Sequence, residues 1–200
     1  YSDLLMVVHP SVPASTLKEF IALAKSQPGK LNYASSGPGT PYHMAGELFK
    51  AMAGVDILHV PYKGSAGART DILGGQVQMM FDAITTMAPN VQAGKLKALG
   101  TSGKARSTVL PEVPTVGETL PGYELTNWFG LVAPAATPGA TVAKIHADVV
   151  KVLKDPAISE KLSGMGATAI GNGPTEFGAA MRADSEKWGK LIREAQIRAE

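Results

Sequence analysis

The stretch Asn32–His43, NYASSGPGTPYH, joins two segments of different hydrophobic periodicity. Leu31–Ala34, at its start, has the pattern of a short buried strand. Towards its end, Thr40 is a suitable N-cap, and Pro41 suits the first position of a helix. The residues between are mainly glycine, serine and threonine, whose small side chains leave the backbone accessible. A strand, an open loop and a helix in this order predict one βα unit.

Similar units recur through the first hundred residues. We predict strands at Leu4–Val8, Leu31–Ala34, Ile57–Val60, Val77–Phe81 and Leu96–Leu99, and helices at 16–27, 41–52, 68–73 and 85–93. Thr16 and Glu19 fit a capping box at the start of the first helix. This alternation is typical of an α/β domain with a largely parallel sheet.

The pattern then changes. Residues 101–122 are rich in glycine, serine, proline and threonine, which predicts a long surface connection. Leu125–Val132 predicts an extended segment, in which we interpret Trp128 and Phe129 as core residues. A mostly helical part follows, with helices at 138–154 and 156–165, a short strand at Ala167–Ile170 and an amphipathic helix at Phe177–Gln196. We therefore place a domain boundary near Gly122.

The composition is that of a globular protein. The chain has 200 residues, of which 44% are hydrophobic and 18% are charged. The net charge is +2, and the basic residues are dispersed, which argues against nucleic-acid binding. Cysteine is absent, so disulfides and thiolate metal sites are excluded. No apolar stretch reaches transmembrane length, so we expect a chain that is not membrane-embedded.

Small and polar residues follow three predicted strands, at Ser35–Thr40, at Tyr62–Gly67 and at Asp82. The carboxyl ends of parallel strands form the usual ligand crevice of an open α/β sheet. A helix start also presents unpaired N–H groups and a partial positive charge, which suits an anion. Two interpretations of SSGPGT stay open, a seat for a carboxylate or phosphate and a simple turn with a good cap. Asp82 likewise either lines the crevice or caps the next helix.

Catalytic and metal sites are weakly supported. Ser36, His43 and Asp82 could be arranged as a hydrolytic triad, but no G-x-S-x-G motif accompanies them. The histidines at positions 9, 43, 59 and 146 lack metal-ligand spacing. His43 and Glu47, one helical turn apart, are interpreted as a surface pair. We therefore expect no catalytic residue, no metal and no cofactor.

Several motifs together resemble a known family. The chain contains, in this order, LNYASSGPGTPYHMAGELFKAMAG, HVPYKGSAGARTDILGGQVQMMFD, GKLKALGTSGKARS, LPEVPTV, LPGYE and NWFGLVAPAATP. This series resembles the substrate-binding proteins of tripartite tricarboxylate transporters, also called Bug receptors, over nearly the whole chain.

The resemblance implies a periplasmic, two-lobed binding protein of the type II, Venus-flytrap kind. Such proteins hold a small carboxylate between their lobes and deliver it to membrane transporter subunits. On one lobe, the implied ligand-binding residues are Ser35, Ser36, Gly37, Gly39, Thr40, His43, Tyr62, Lys63, Gly64 and Asp82. Asn127, Trp128 and Phe129 are implied to lie on the second crossover near the hinge, and Trp128 is included among the ligand-binding candidates.

The chain departs from this family in one respect. Members begin further upstream, with the first part of one lobe, so we expect an N-terminally truncated chain. Residues 4–122 would form the complete second lobe, and residues 123–200 the crossover strand and the C-terminal part of the first. Helices after Thr137 would then expose apolar faces.

The resemblance leaves open a di- or tricarboxylate, an amino acid or an aromatic acid as ligand. A small hydrolase or transferase using Ser36, His43 and Asp82, or a sensory or interaction module, remains the alternative.

Overall fold

A computed structural model describes residues 1–195 and residue 197. The elements are β1 (Ser2–Val8), α1 (Leu17–Ser26), β2 (Asn32–Ser35), α2 (Pro41–Ala53), β3 (Leu58–Pro61), α3 (Ser65–Leu73), β4 (Met79–Ala83), α4 (Ile84–Gln92), β5 (Lys97–Thr101), β6 (Thr126–Asn127), α5 (Gly139–Leu153), α6 (Pro156–Gly164) and α7 (Pro174–Glu194). A single 3-10 turn, Val116–Glu118, lies between β5 and β6. The predicted strands and helices of the first hundred residues are confirmed, with ends shifted by a few residues.

The strands form one mixed sheet in the order β3-β2-β4-β1-β5, and β6 pairs with the start of β1. β2 runs parallel to β3 and β4, whereas β1 runs antiparallel to β4, β5 and β6. The predicted parallel arrangement therefore holds for β2, β3, β4 and β5, and β1 is the exception. A continuously apolar strand has the same hydrophobic pattern in either direction, so its sequence does not reveal its orientation.

Both faces of the inner strands of the sheet are buried, whereas the edge strand β3 is more exposed. Along β1, Leu4, Met6 and Val8 face a core shared with α1 and α2, and Leu5 and Val7 face a second core shared with α3 and α4. Alternate residues of a strand point to opposite faces. Two buried faces therefore explain why LLMVV is apolar at every position.

The helix starts follow the predicted capping. Thr16 and Glu19 form a complete capping box at α1. Thr40 accepts a hydrogen bond from the His43 amide at α2, where Pro41 is the first residue. Each bond satisfies an amide that the helix itself leaves unpaired. The position of α2, directly after the glycine-rich loop, is thus defined by local sequence.

The segment 101–122 packs more closely than predicted. Leu110, Val113 and Val116 are buried, so the prediction of a surface connection is wrong for these residues. The segment bonds to the end of β5, where the Thr101 amide donates to the Pro114 carbonyl. These apolar residues, spaced by three, pack into the cores on both faces of the sheet, Val116 on one face and Leu110 and Val113 on the other.

The prediction for residues 125–132 is also wrong in part. Only Thr126–Asn127 is a strand, paired with Ser2 and Asp3 of β1. Trp128 is 40% exposed and Phe129 is 80% exposed, so neither is a core residue. Within the part of the chain that the structure describes, no strand pairs with the segment directly after β6. In the predicted strand at 167–170, Ala167 makes one isolated bridge, to Ser2.

The helices after residue 137 carry exposed apolar side chains, as predicted. α5 and α6 contain no buried residue among those described. Exposed apolar side chains in and beside them are Ile145, Val152, Ile158, Met165 and Ile170. α7 reaches the first core through Leu191. The predicted end of this last helix, Gln196, lies outside the described residues. Within the described part of the chain, no helix has the length and apolar character needed to cross a membrane.

Candidate functional site

The carboxyl ends of β2, β3, β4 and β5 meet at one edge of the sheet, because these strands run in the same direction. The loop between β2 and α2, residues 36–40, and the loop between β3 and α3, residues 62–64, lie there side by side. The Tyr62 amide donates to the Ser35 carbonyl and the Gly64 amide to the Ser36 carbonyl, each at 3.1 Å. The two loops therefore form one continuous surface at this edge.

Several amides of the β2–α2 loop are engaged within the loop and its helix. The Gly37 amide donates to Ser35 Oγ at 3.1 Å, and the Gly39 amide donates to His43 Nδ1 at 3.0 Å. The Thr40 amide donates to the Gly37 carbonyl. Gly37 has φ of +128°, and a Cβ there would lie 3.1 Å from the Tyr62 carbonyl oxygen. This position therefore requires glycine for both backbone conformation and space.

Two amides at the loop are available for a ligand. Among the hydrogen bonds of the described residues, none involves the amide of Ser36, the hydroxyl of Ser36 or the amide of Tyr42. Tyr42 is the second residue of α2, where helix geometry leaves the amide without an internal partner. The Tyr42 amide lies at the positive end of the helix, which favours an anion.

Asp82 lies within β4 and is fully buried. Its Oδ2 accepts from Arg69 Nε at 2.5 Å, and its Oδ1 accepts from Arg69 Nη2 at 3.1 Å and from the Ala83 amide at 2.7 Å. Asp82 is therefore not the cap of α4, whose N-cap is Ala83. Its oxygens hold the guanidinium of Arg69, a residue of α3 whose side chain is 32% exposed.

Arg69 is a candidate site residue that sequence reasoning missed. The hydrogen bonds that Arg69 donates to Asp82 raise the pKa of Arg69, which keeps the guanidinium charged. The charges of Asp82 and Arg69 also act on the half-buried phenol of Tyr42, whose pKa is raised mainly by burial. Arg69 and Tyr42 are thus close enough to interact, and the Ser36 carbonyl bonds to Gly64, which directly precedes the helix of Arg69. The 13-residue separation of Arg69 and Asp82 gives no local pattern that would have revealed the pair.

A cluster of aromatic and titratable side chains lies beneath the β2–α2 loop. The rings of His43 and His59 are stacked with centroids 4.0 Å apart, and Tyr33 stacks on His59 at 4.8 Å. Ser35 Oγ and His59 Nε2 are 2.7 Å apart. The Tyr33 hydroxyl donates to Glu47 Oε1 at 2.5 Å. The cluster therefore connects the base of the loop to the side of α2.

The predicted surface pair of His43 and Glu47 is wrong, because the two residues are 5% and 6% exposed. α2 approaches β2 closely at Gly46, where a Cβ would lie within 2.7 Å of Tyr33 Cζ. This approach brings one face of the helix onto the strand. Lys50 then neutralises Glu47, with Nζ 2.8 Å from Oε1.

The buried imidazoles predict a loss of stability in acid. Burial lowers the pKa of His43, and burial together with the charge of His43 lowers the pKa of His59 to about 4. The unfolded chain therefore binds more protons than the folded one below about pH 6.5. Stability should be complete above that pH and should fall as the pH approaches about 4. Urea unfolding across this range measures the effect.

Carboxylates titrate in the same range, so the variant His59→Gln supplies the control for this prediction. Glutamine keeps a polar atom near the position of Nε2 but does not titrate. Between about pH 7 and about pH 4.5, the variant should lose less stability than the unmodified protein. An equal loss in both would contradict the assignment to His59.

The remaining candidate ligand-binding residues lie in two separate places. Gly64 is the N-cap of α3, Lys63 is exposed, and the Tyr62 hydroxyl donates to Asp71 Oδ2 at 2.5 Å, so these residues border the loop. Trp128 lies elsewhere. Its Nε1 donates to Asp184 Oδ2 at 2.6 Å on α7, and its ring packs edge-on against Phe177.

The structure does not assemble a hydrolytic triad. His43 is engaged with Gly39 through Nδ1, and Asp82 is engaged with Arg69. Neither therefore forms the nucleophile–base–acid chain that Ser36 would require. Among the described residues, no group of three or more His, Cys, Asp or Glu side chains could hold a metal ion.

Comparison with known proteins matches this architecture. A family described as "Tripartite tricarboxylate transporter family receptor" matches residues 1–197. A UPF0065 protein from the tcbD-tcbE intergenic region of Pseudomonas sp. (strain P51) is 38% identical over 194 residues, covering 94% of this chain and 58% of that protein. The chain thus spans less than two thirds of the length of this relative.

Two solved structures have the same fold. "R. palustris Rpa4515 with adipate" superposes with a TM-score of 0.90 at 32% identity, covering 100% of this chain and 67% of that one. MatC (Rpa3494) from Rhodopseudomonas palustris, with bound malate, superposes with a TM-score of 0.84 at 29% identity, covering 96% and 66%. Both structures contain a small dicarboxylate, and another similar structure is that of the periplasmic binding protein BugD.

Proposed function

Because the chain belongs to the tripartite tricarboxylate transporter receptor family, we propose that it is the part of a periplasmic receptor that captures a small carboxylate. The observation that carries the proposal is the group of donors at the carboxyl edge of the sheet. Among the described residues, no hydrogen bond engages the Ser36 amide or hydroxyl or the Tyr42 amide, and the guanidinium of Arg69, on the helix that follows the neighbouring loop, is partly exposed. Relatives with bound adipate and malate support the same ligand class.

The donors are sufficient for useful affinity. A hydrogen bond to a charged group contributes roughly 1.5–3 kcal/mol, so two or three of them contribute roughly 3–9 kcal/mol. That range corresponds to dissociation constants from several millimolar, on the order of 10⁻² to 10⁻³ M, to somewhat below micromolar. Within the proposed site, Ser36, Tyr42 and Arg69 contact the carboxylate directly. Ser35, Gly37, Gly39, Thr40 and His43 shape the loop, Asp82 holds Arg69, and Tyr62, Lys63 and Gly64 border it.

We further propose that residues 4–122 form one complete lobe of a Venus-flytrap receptor, and that residues 123–200 form the crossover strand and part of the other. The pairing of β1 with β6 supports this division, because the chain enters and leaves the sheet along two adjacent strands. Two adjacent strands suit a hinge about which lobes close on a ligand. We propose that Trp128, which follows β6 directly and bonds to Asp184 of α7, approaches the ligand when the lobes close.

The receptor performs no chemistry on its ligand in this proposal and delivers it to membrane transporter subunits. Closure of the lobes signals to the transporter subunits that a ligand is bound, since a ligand that touches both lobes stabilises the closed state by its differential contacts. The family assignment supports this role. The particular carboxylate is selected by side chains on both sides of the cleft.

The experiment is a thermal-shift panel of mono-, di-, tri- and aromatic carboxylates on the full-length gene product, with the present chain beside it. We expect at least one carboxylate to raise the melting temperature of the full-length protein. Ser36→Ala should weaken its binding by about tenfold or more, because one hydrogen bond to a charged group is lost.

Ser26→Ala is the matched control. Ser26 ends α1 at the opposite edge of the sheet, where its hydroxyl donates to the Leu23 carbonyl. This variant should bind as the unmodified protein does. No shift with any carboxylate at millimolar concentration would contradict the proposed function.

A further inference from the structure

The two stacked histidines beneath the β2–α2 loop each contact a different part of it. His43, the third residue of α2, reaches back so that its Nδ1 accepts from the Gly39 amide at 3.0 Å. His59, on β3, places Nε2 2.7 Å from Ser35 Oγ. The ring centroids are 4.0 Å apart with an angle of 15° between the planes. One contact therefore holds the end of the loop and the other holds its beginning.

The contact with Gly39 determines the tautomer of His43. An amide N–H always donates, so Nδ1 must carry no proton, and the single ring proton is on Nε2. That proton faces Glu47 Oε1, 3.9 Å away. Glu47 also accepts from the Tyr33 hydroxyl and from Lys50 Nζ. The ring orientation is thus defined on both sides by other groups.

The contact between His59 and Ser35 also holds Gly37, the other glycine of the loop. Ser35 Oγ accepts from the Gly37 amide at 3.1 Å while it bonds to His59. Ser35 is itself fully buried. Gly37 and Gly39, on either side of Pro38, are therefore both tied to the histidine pair, directly or through one hydroxyl. Ser36 lies between these attachment points, and its own amide and hydroxyl remain unengaged.

We propose that His43 and His59 are positioning residues, which in their uncharged form hold the β2–α2 loop in the shape that receives the ligand carboxylate. This inference rests on the proposed function for the meaning of the loop. It assigns no ligand contact to either histidine. Affinity would depend on His43 through the Gly39 amide, and on His59 through Ser35 and Gly37.

The proposal predicts that acid releases the loop. Protonation of His43 Nδ1 would turn this acceptor into a donor. It would then face the N–H of Gly39, which is also a donor, and the hydrogen bond would break. Charging both stacked rings would also place two like charges 4.0 Å apart. The charged and titratable groups around the pair are Glu47 and Lys50 from α2 and Tyr33 from β2. Glu47 favours the charged form of His43, but Lys50 offsets it, and burial lowers the pKa of both imidazoles.

The direct test is nuclear magnetic resonance of the ligand-free protein. We expect a scalar coupling across the hydrogen bond between the Gly39 amide nitrogen and His43 Nδ1 at about neutral pH, and its loss in acid. His43→Asn keeps an acceptor at the position of Nδ1, and His43→Leu has similar size without one. The Gly39 amide should stay protected from hydrogen exchange in the Asn variant and lose about tenfold of its protection in the Leu variant.

The binding test uses malate and adipate as probes on the full-length gene product. His43→Leu should weaken binding of a responding probe by about tenfold, and His43→Asn by about threefold or less. A His59→Gln and His59→Leu pair provides the same comparison at Ser35 if the His43 variants fail to fold. Absence of the coupling, or a Leu variant that matches the unmodified protein in exchange and affinity, would overturn the inference. If no carboxylate binds the unmodified protein, the proposed function fails, and the exchange data decide the loop-holding role alone.

Discussion

Replacing Arg69 by methionine should lower the free energy of unfolding by about 3 kcal/mol. Asp82 is fully buried, and both of its carboxylate oxygens accept hydrogen bonds from Arg69. Without the guanidinium, the carboxylate stays in the interior with the Ala83 amide bonded to one oxygen. An uncompensated buried charge is strongly destabilising. The expected loss of stability is at the low end of the range for a broken buried ion pair, because the Arg69 side chain is 32% exposed.

Two further variants separate the charge from the packing. Asp82→Asn should cost less than Arg69→Met, because the exposed end of Arg69 can turn to water whereas Asp82 cannot. The double variant Arg69→Met/Asp82→Asn removes both charges and should recover most of the loss. Urea unfolding of the four proteins measures these differences. A double variant as unstable as Arg69→Met would contradict the charge argument.

Gly46→Ala should lower the free energy of unfolding by roughly 2 kcal/mol, although alanine is the better helix former. A Cβ at residue 46 would overlap the ring of Tyr33, which is buried. That ring cannot move aside easily, since it stacks on His59 and its hydroxyl donates to Glu47. The clash should therefore push α2 away from β2 and disturb the histidine pair as well as the core.

Gly189→Ala in α7 is the matched control for helix propensity. Among the described residues, a Cβ there would meet only the end of the long Arg193 side chain, at 3.4 Å. This variant should raise the free energy of unfolding by roughly 0.5–1 kcal/mol. Thermal or urea unfolding compares the two glycines. If Gly46→Ala stabilises the protein as Gly189→Ala does, the close approach of α2 to β2 is not as the structure describes it.

Local patterns were enough to predict the elements that carry the site. The strand before Ser36, the cap at Thr40 and the proline at residue 41 define the β2–α2 loop within a dozen residues. The meeting of strand ends at one edge follows from the common direction of β2, β3 and β4. The loop depends on neighbouring residues and the common strand direction on the alternation of strands and helices, which is why the sequence predicts both.

Features that depend on distant contacts were not predictable in this way. The burial of His43 and Glu47 depends on how closely Gly46 approaches Tyr33, a contact between a helix and a strand. Likewise, the sequence makes Asp82 a candidate ligand or cap, and its pairing with Arg69 depends on how α3 packs beside β4. The exposure of Phe129 depends on where the sheet ends, because an apolar residue is buried only where a neighbour covers it.

The structure also changes which groups of the loop are candidates for the ligand. From sequence, every amide of SSGPGT was a candidate donor. Bonds within the loop engage the amides of Gly37, Gly39 and Thr40, and leave those of Ser36 and Tyr42. A loop whose shape is already defined by internal bonds loses little conformational freedom on binding, which favours affinity. The engaged amides therefore support the site indirectly.

We propose that a carboxylate binds at the carboxyl edge of this sheet. The most direct measurement is a titration of the full-length gene product with malate and adipate, followed through its amide and side-chain N–H resonances. We expect the largest shifts at Ser36 and Tyr42, with smaller ones at Gly64 and at the Arg69 side chain. Saturable binding that leaves the Ser36 and Tyr42 amides unmoved would contradict a carboxylate site at this edge.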